Sequence, residues 1–362
     1  MYNLYLNIFN KLGLPEILAQ LSWPLIPFIG VAALLVIVVL FLVLMERKIL
    51  ALFTVRKGPN RVGPFGLFQT IADAIKLLIK EDIMSSEVNK LLFTIAPVIV
   101  FVPTMLIYCL LPFAGNLLAV NIAAGLFLIL AVSSISTVGI VIAGWASNNK
   151  YSLLGGMRSA AQAISYEIPL MLSAISVAIL AGSMNVIDIV EKQSSGIFFW
   201  NAVPSVIGFA VFFICSIAEV NRIPFDLPEA ESELVSGYNT EYSGMKFALF
   251  FLAEYAALFI VSVLTVTLFL GGYTSPLGVY ISKYISDPLF HNQIVTNLFI
   301  SLEQGFWLVF KTYIVIFAIM WIRATLPRLK ADQLMAFSWK FLLPLSLINI
   351  VIVSVYRYFI PG

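Results

Sequence analysis

Residues 24 to 45 read PLIPFIGVAALLVIVVLFLVLM, with no charge until Glu46, Arg47 and Lys48 follow. A helix rises about 1.5 Å per residue and bonds its own backbone groups, so a run of this length crosses a hydrocarbon core about 30 Å thick. Similar runs recur along the chain. Of its 362 residues 61% are hydrophobic and 11% charged, and the mean hydropathy is +1.00. That balance lies far from a soluble globular domain. It predicts an all-α polytopic membrane protein of about eight transmembrane helices, near residues 24–45, 91–111, 120–144, 163–181, 204–221, 247–270, 303–322 and 341–360. The spacing leaves no room for a soluble domain, so residues 1–362 read as a single integral membrane domain.

Charge placement supplies an independent orientation. Sixteen of the 21 Lys and Arg residues fall in the connections 46–90, 145–162, 222–246 and 323–340. The positive-inside rule puts these on the inner side and both termini on the outer side, a parity that eight spans satisfy. Only Lys11 precedes the first apolar segment and no small-residue cleavage site follows, so the N-terminus is expected to be retained. A net charge of +2 without any basic block gives nucleic acid no footing. Cys109 and Cys215 lie alone in separate apolar segments and the single His291 sits in a polar connection. That spacing suits no metal site, disulfide, haem or iron–sulfur cluster, so any electrons must be carried by partners.

The first inner connection carries its own structure. Glycine and proline in RKGPNRVGP (56–64) mark tight turns. In GLFQTIADAIKLLIKED (66–82), Gln69, Asp73, Lys76 and Lys80 share one helical stripe, with Phe68, Ile71, Ile75, Leu78 and Ile79 opposite. This predicts an amphipathic helix at the inner membrane surface, either a plain anchor or the wall of a cavity open to both lipid and a polar partner.

Ionisable residues within spans need a partner or a water-filled cavity. Glu167, Glu219 and Glu254 fall in the fourth, fifth and sixth spans, and alternating chain direction puts all three in the inner half of the membrane. Burial favours the neutral acid, and such groups with water between them can relay protons. Each could instead be a neutral acid bonded to a nearby hydroxyl or carbonyl, with Tyr166 and Tyr255 at hand. Lys311, the lone cation near mid-span, should face the protein interior, in a helix-packing ion pair or a relay. The loop DLPEAESELV (226–235) brings Glu229, Glu231 and Glu233 together. They are either solvated or paired with inner-face bases, among them Arg47, Arg56, Arg61, Arg222, Arg323 and Arg328, in a mixed field that could hold a polar head group.

Four stretches carry a resemblance: MERKILALFTVRKGPNRVGPFGLFQTIADAIKLLIKED (45–82), GWASNNKYSLLGGMRSAAQAISYEIPL (144–170), AEVNRIPFDLPEAESELVSGYNTEYSGMKFALFFLAEYA (218–256) and WIRATLPRLKADQLM (321–335). In this order they resemble the H-type membrane component, also called subunit 1, of proton-pumping NADH:quinone oxidoreductase, respiratory complex I, over nearly the whole chain. The resemblance implies a non-redox membrane subunit that joins the hydrophilic arm to the membrane arm, helps form the quinone chamber and couples quinone reduction to proton translocation. Quinone is then the substrate, while NADH, FMN and iron–sulfur clusters belong to partner subunits. Those partners are the quinone-module subunits of the hydrophilic arm and the small and antiporter-like membrane subunits. Glu46, Arg47, Arg56 and Asp73 match positions of the quinone entrance and chamber, and Phe250, Glu254 and Tyr255 match its inner part. Glu167, Glu219 and Glu254 match the acidic membrane path, Glu229, Glu231 and Glu233 the acidic loop, and Arg222, Arg323 and Arg328 the inner-face bases. Lys311 is added to the relay on its mid-span position. The implied location is the bacterial inner membrane or, alternatively, the mitochondrial one. The chain departs from the family at Thr70, where proline is expected, at Lys330–Ala331, and in a long outer connection from Gly271 to Leu302. Three other readings stay open on the residues: the equivalent subunit of a membrane-bound hydrogenase, a free-standing cation/proton antiporter, and a purely structural anchor.

Overall fold

A computed structural model describes residues 25–115, 120–227, 236–278, 280 and 293–359, and the regular elements among them are helices. Helix α1, Leu25–Phe53, runs through the opening apolar stretch and on past Arg47. A turn then leads to α2, Gln69–Ile79, the expected amphipathic helix. Gly66 in that turn has φ 76°, and a Cβ there would lie 2.2 Å from the Pro59 carbonyl oxygen. Only glycine fits.

Helix α3 spans Lys90–Leu110, α4 Gly125–Ala146 and α5 Lys150–Ala181. The side chains of Asn89 and Asn149 cap α3 and α5 by accepting from Leu92 and Tyr151 N–H groups. Then come α6, Val186–Glu191, α7, Val206–Glu219, and α8, Gly244–Phe269. After α9, Gln293–Thr325, the short α10, Ala331–Phe337, passes through a π-turn at Ser338–Leu342 into α11, Leu343–Phe359. Among the described residues, α1, α3, α4, α5, α8, α9 and the α10–α11 unit are each long and apolar enough to cross a membrane.

The fifth expected span differs. It is α7, only 14 residues, about 21 Å at the helical rise and short of the hydrocarbon core. Non-helical backbone beside such a helix is tolerated when protein groups satisfy it. Here Asn349 of α11 does so. Its Oδ1 accepts from the Gly208 N–H and the Ser205 hydroxyl, each at 3.1 Å, while its Nδ2 donates to Ser176 Oγ of α5 at 2.9 Å.

Helix α8 is the hub, packing on α1, α2, α3, α5, α6, α7 and α9. Its final carbonyls are buried, and each finds a donor. Gln193 Nε2 donates to Thr267 O, Asn201 Nδ2 to Leu268 O and the Ala202 N–H to Phe269 O. Lys311, 6% exposed, donates to Leu270 O at 2.8 Å, Gly272 O at 3.1 Å and Thr274 O at 2.7 Å, with the Trp200 ring 4.5 Å away. The cation thus faces the interior as expected, and backbone carbonyls take the place an ion-pair carboxylate would have.

Replacing Asn349 by Leu would strand the buried Gly208 N–H, a loss of about 1–3 kcal/mol. The expected outcome is a lower thermal unfolding midpoint in detergent, and an unchanged midpoint would show that α7 does not lean on this bond.

Candidate functional site

Glu46 and Arg47 adjoin on α1 and face different surroundings. Glu46 is buried, and its Oε1 lies 3.0 Å from Arg222 Nη1 and also pairs with Arg323 near the end of α9. Arg222 Nη2 lies 3.1 Å from Glu254 Oε1 on α8, and the guanidinium rests 4.5 Å from the centre of the Tyr255 ring. Two carboxylates and two guanidiniums from α1, α8, α9 and the turn after α7 therefore form one charge-balanced group. A planar guanidinium suits this place because its fork of donors serves two carboxylates at once. Among the described residues, Glu46 Oε2 has no hydrogen-bond partner.

The backbone that presents Arg222 is held on both sides. Gln162 Nε2 of α5 lies 2.7 Å from Ala218 O, 2.6 Å from Phe225 O and 3.1 Å from Asn221 Oδ1. Arg328 Nη2 pairs with Asp226 at 2.6 Å, and the Leu329 N–H donates to Pro224 O, stitching the turn to the α9–α10 connection. Further along, a Cβ on Gly155 would sit 2.8 Å from Gly237, so α5 and the Gly237–Asn239 turn meet backbone to backbone.

Glu167 and Glu219 share a separate polar cavity of about 40 Å³ with Ser133, Ser134, Ser136, Thr137 and Asn221. Ser134 donates to Glu167, while Ser133 donates to Leu130 O at 2.8 Å and lines the cavity beside Glu219. The space is large enough for a water, which needs about 10–15 Å³. Tyr166, considered above as a partner for an acid, instead donates to Leu334 O at 2.9 Å. The three membrane acids are thus divided: two in this cavity, and Glu254 in the arginine group. Asn221, at the cavity edge, directly precedes Arg222 in the chain.

A third feature is a cleft of about 410 Å³ between α1, α2 and α8. Val36 and Leu40 of α1, Leu77 of α2 and Phe247, Phe251 and Leu252 of α8 form apolar walls. Arg47, Asp73 and Thr70 supply its polar groups. Arg47 Nη1 meets Asp73 Oδ2 at 2.5 Å, and Gln69 Nε2 donates to Asp73 at 3.2 Å.

Several sequence-predicted residues lie elsewhere. Arg56 is exposed in the turn after α1. Phe250 turns away from the cleft into an aromatic group with Tyr238 and Tyr242, at centroid distances of 5.5 and 4.9 Å. Lys311 caps α8 apart from the acids. Glu229, Glu231 and Glu233 lie outside the described residues. Among the described residues, no group of three or more His, Cys, Asp or Glu could hold a metal ion. Sequence reasoning missed the cavity hydroxyls, although SSIST (133–137) inside an apolar span was a readable signal. It also missed Phe247, Phe251 and Leu252, because α8 is apolar on every face and shows no stripe.

Fold and site define a polytopic membrane protein with an apolar cleft, a buried ion group and a carboxylate cavity. A family model described as NADH dehydrogenase matches residues 26–354. The chain is 49% identical over 323 residues to the H-type component of NADH-quinone oxidoreductase from Dehalococcoides mccartyi strain CBDB1, covering 88% of this chain and 82% of that one. It is 47% identical over 332 residues to the protein of the same name from Brevibacillus brevis, covering 91% and 92%. The chain belongs to this family of H-type components, and is a subunit of NADH-quinone oxidoreductase.

Removing Arg222 would leave Glu254 uncompensated and Glu46 with Arg323 alone. Breaking a buried pair in this way costs about 3–5 kcal/mol. Arg222→Met is expected to lower the thermal midpoint of the purified protein sharply, and Arg222→Lys to recover only part of it. Equal midpoints for parent and Arg222→Met would show that the group contributes no net stability.

Proposed function

We propose that this chain helps form the quinone-binding chamber of its oxidoreductase and couples quinone reduction to proton translocation through its carboxylates. One observation carries the reading. On α8, the wall residues Phe251 and Leu252 of an apolar cleft stand within a turn of Glu254, which is bound to Arg222. A long apolar tail with a polar head suits such a cleft, whose polar groups Arg47, Asp73 and Thr70 could meet the head on its way in. Glu46, Arg222, Arg323 and Tyr255 would then border the inner chamber, with Arg56 and Arg328 on its inner-face approaches.

In this reading the chain supplies no redox centre. NADH, FMN and iron–sulfur clusters are held by hydrophilic-arm partners, whose quinone module docks on the inner-face connections. Electrons arriving on the quinone add negative charge beside Arg222 and favour proton uptake by Glu254 and Glu46, and protonation of the reduced quinone removes that charge so that the carboxylates release their protons. The proton path continues to Glu219 and Glu167 through water in the hydroxyl-lined cavity, with Glu229, Glu231 and Glu233 between chamber and path. Glu167 and Glu219 are only half-buried, and carboxylates do not face lipid bare. A neighbouring small or antiporter-like membrane subunit closes that side. We place α7 as the eighth crossing, with both termini outside, in a bacterial inner membrane.

Two experiments test the reading. Ala248, small and in the cleft wall, can be replaced by Phe. Filling the cleft is expected to raise the KM for quinone about tenfold, equivalent to about 1.4 kcal/mol, while electron transfer to an artificial acceptor in the hydrophilic arm is unchanged. An unaltered KM rejects the cleft as the entrance. Separately, Glu219→Gln should depress proton pumping coupled to quinone reduction and spare the artificial-acceptor rate. Normal pumping in that variant would remove Glu219 from the relay.

A further inference from the structure

Helix α2 is fastened differently at its two ends. Its N-terminal side is rigid: Gly66 leaves no room against Pro59, Lys48 Nζ donates to Phe65 O at 2.6 Å, and Asp73 meets Arg47. Beyond its C-terminus the chain is tied to the start of α8 instead. Lys246 Nζ lies 2.9 Å from Asp82 Oδ2, 3.0 Å from Met84 Sδ and 5.2 Å from the centre of the Phe93 ring of α3. The Ile83 N–H donates to Ser243 Oγ at 3.0 Å, and that hydroxyl lies 3.5 and 3.4 Å from the Glu81 and Ile83 carbonyls. A Cβ on Gly244 would come within 3.0 Å of Lys80 O. The Lys246 side chain is 13% exposed and that of Asp82 41%.

The neighbours of Lys246 in sequence give these contacts a consequence. Met245, Phe247 and Ala248 line the cleft, and Leu77 and Leu78 of α2 face them across it. Asp82 lies one turn of chain beyond α2. The distance between the two walls therefore depends on what joins residues 81–84 to the first turn of α8. We propose that the Asp82–Lys246 ion pair is a positioning staple: with the Ser243 bonds beside it, it holds the C-terminal end of α2 and sets the width of the cleft without touching the occupant. The proposal rests on the cleft being the quinone entrance.

A staple of this kind acts on binding. Loosening it lets the α2 wall drift, so a bound isoprenoid tail must order the wall as well as itself, and affinity falls. The chemistry beside Arg222 is untouched. A partly exposed pair carries a modest energy, which sets the size of the effect at a few-fold.

The experiment uses the assembled oxidoreductase in membranes. Asp82→Asn and Lys246→Gln are each expected to raise the KM for a long-tailed quinone about threefold, with kcat and the artificial-acceptor rate unchanged. A short-tailed analogue should be affected less, because fewer of its atoms reach the α2 wall. The exchanged pair, Asp82→Lys with Lys246→Asp, should bring the long-tail KM back toward the parent value. General loosening of the fold would not give that recovery. Unchanged KM in both single variants overturns the staple, as does failure of the exchanged pair to recover. If Ala248→Phe raises the KM while the staple variants do not, the staple alone fails. If none of the three moves it, the cleft reading fails with it.

Discussion

A guanidinium keeps its proton under all ordinary conditions, so a buried one must be answered by acceptors, and carboxylates answer its charge as well as its donors. Arg222 is answered by Glu46 from α1 and Glu254 from α8. That requirement ties together two helices far apart in sequence, and Arg323 draws in a third, α9. With Glu46 committed inward, its neighbour Arg47 is left to meet Asp73 across the mouth of the cleft. The ion group thus serves as the joint on which the cleft is assembled, and a charge placed beside it is felt by both carboxylates.

The short helix α7 makes this joint possible. A helix running the full depth of the core would carry Glu219 and the following residues out toward the aqueous side. By stopping at Glu219, the chain turns within reach of α5, where Gln162 collects the carbonyls of Ala218 and Phe225. Arg222 emerges from that turn into the protein. The corresponding deficit at the other end is filled by Asn349, a polar residue on α11 that serves the start of α7 and Ser176.

How far the sequence announced this can be judged from particular residues. Apolar runs of about 20 residues predicted eight crossings, and among the described residues seven helices are long and apolar enough to make them, the expected fifth span being the short α7. The stripe of Gln69 and Asp73 against Ile71, Ile75 and Leu78 likewise forced α2. The buried acids were visible as costly exceptions, but their partners were not. Pairing Glu46 with Arg222 depends on a turn geometry set by side chains of α5, and nothing local to either residue encodes it. The cleft wall on α8 was hidden for the opposite reason: a helix apolar all round offers no clue to which face meets a cavity. Lys311 was foreseen to face inward, yet a carbonyl partner carries no signature in a sequence, since every residue has one.

The setting of Lys311 follows the order in which the chain is made. Its three acceptors, Leu270, Gly272 and Thr274, and the Trp200 ring beside it all precede it in the chain. Synthesis proceeds from the N-terminus, so the end of α8 is made before α9 is translated. Every group that receives the Lys311 ammonium is therefore in place along the chain before the ammonium itself is made, so the order of elements sets the receptor ahead of the charge.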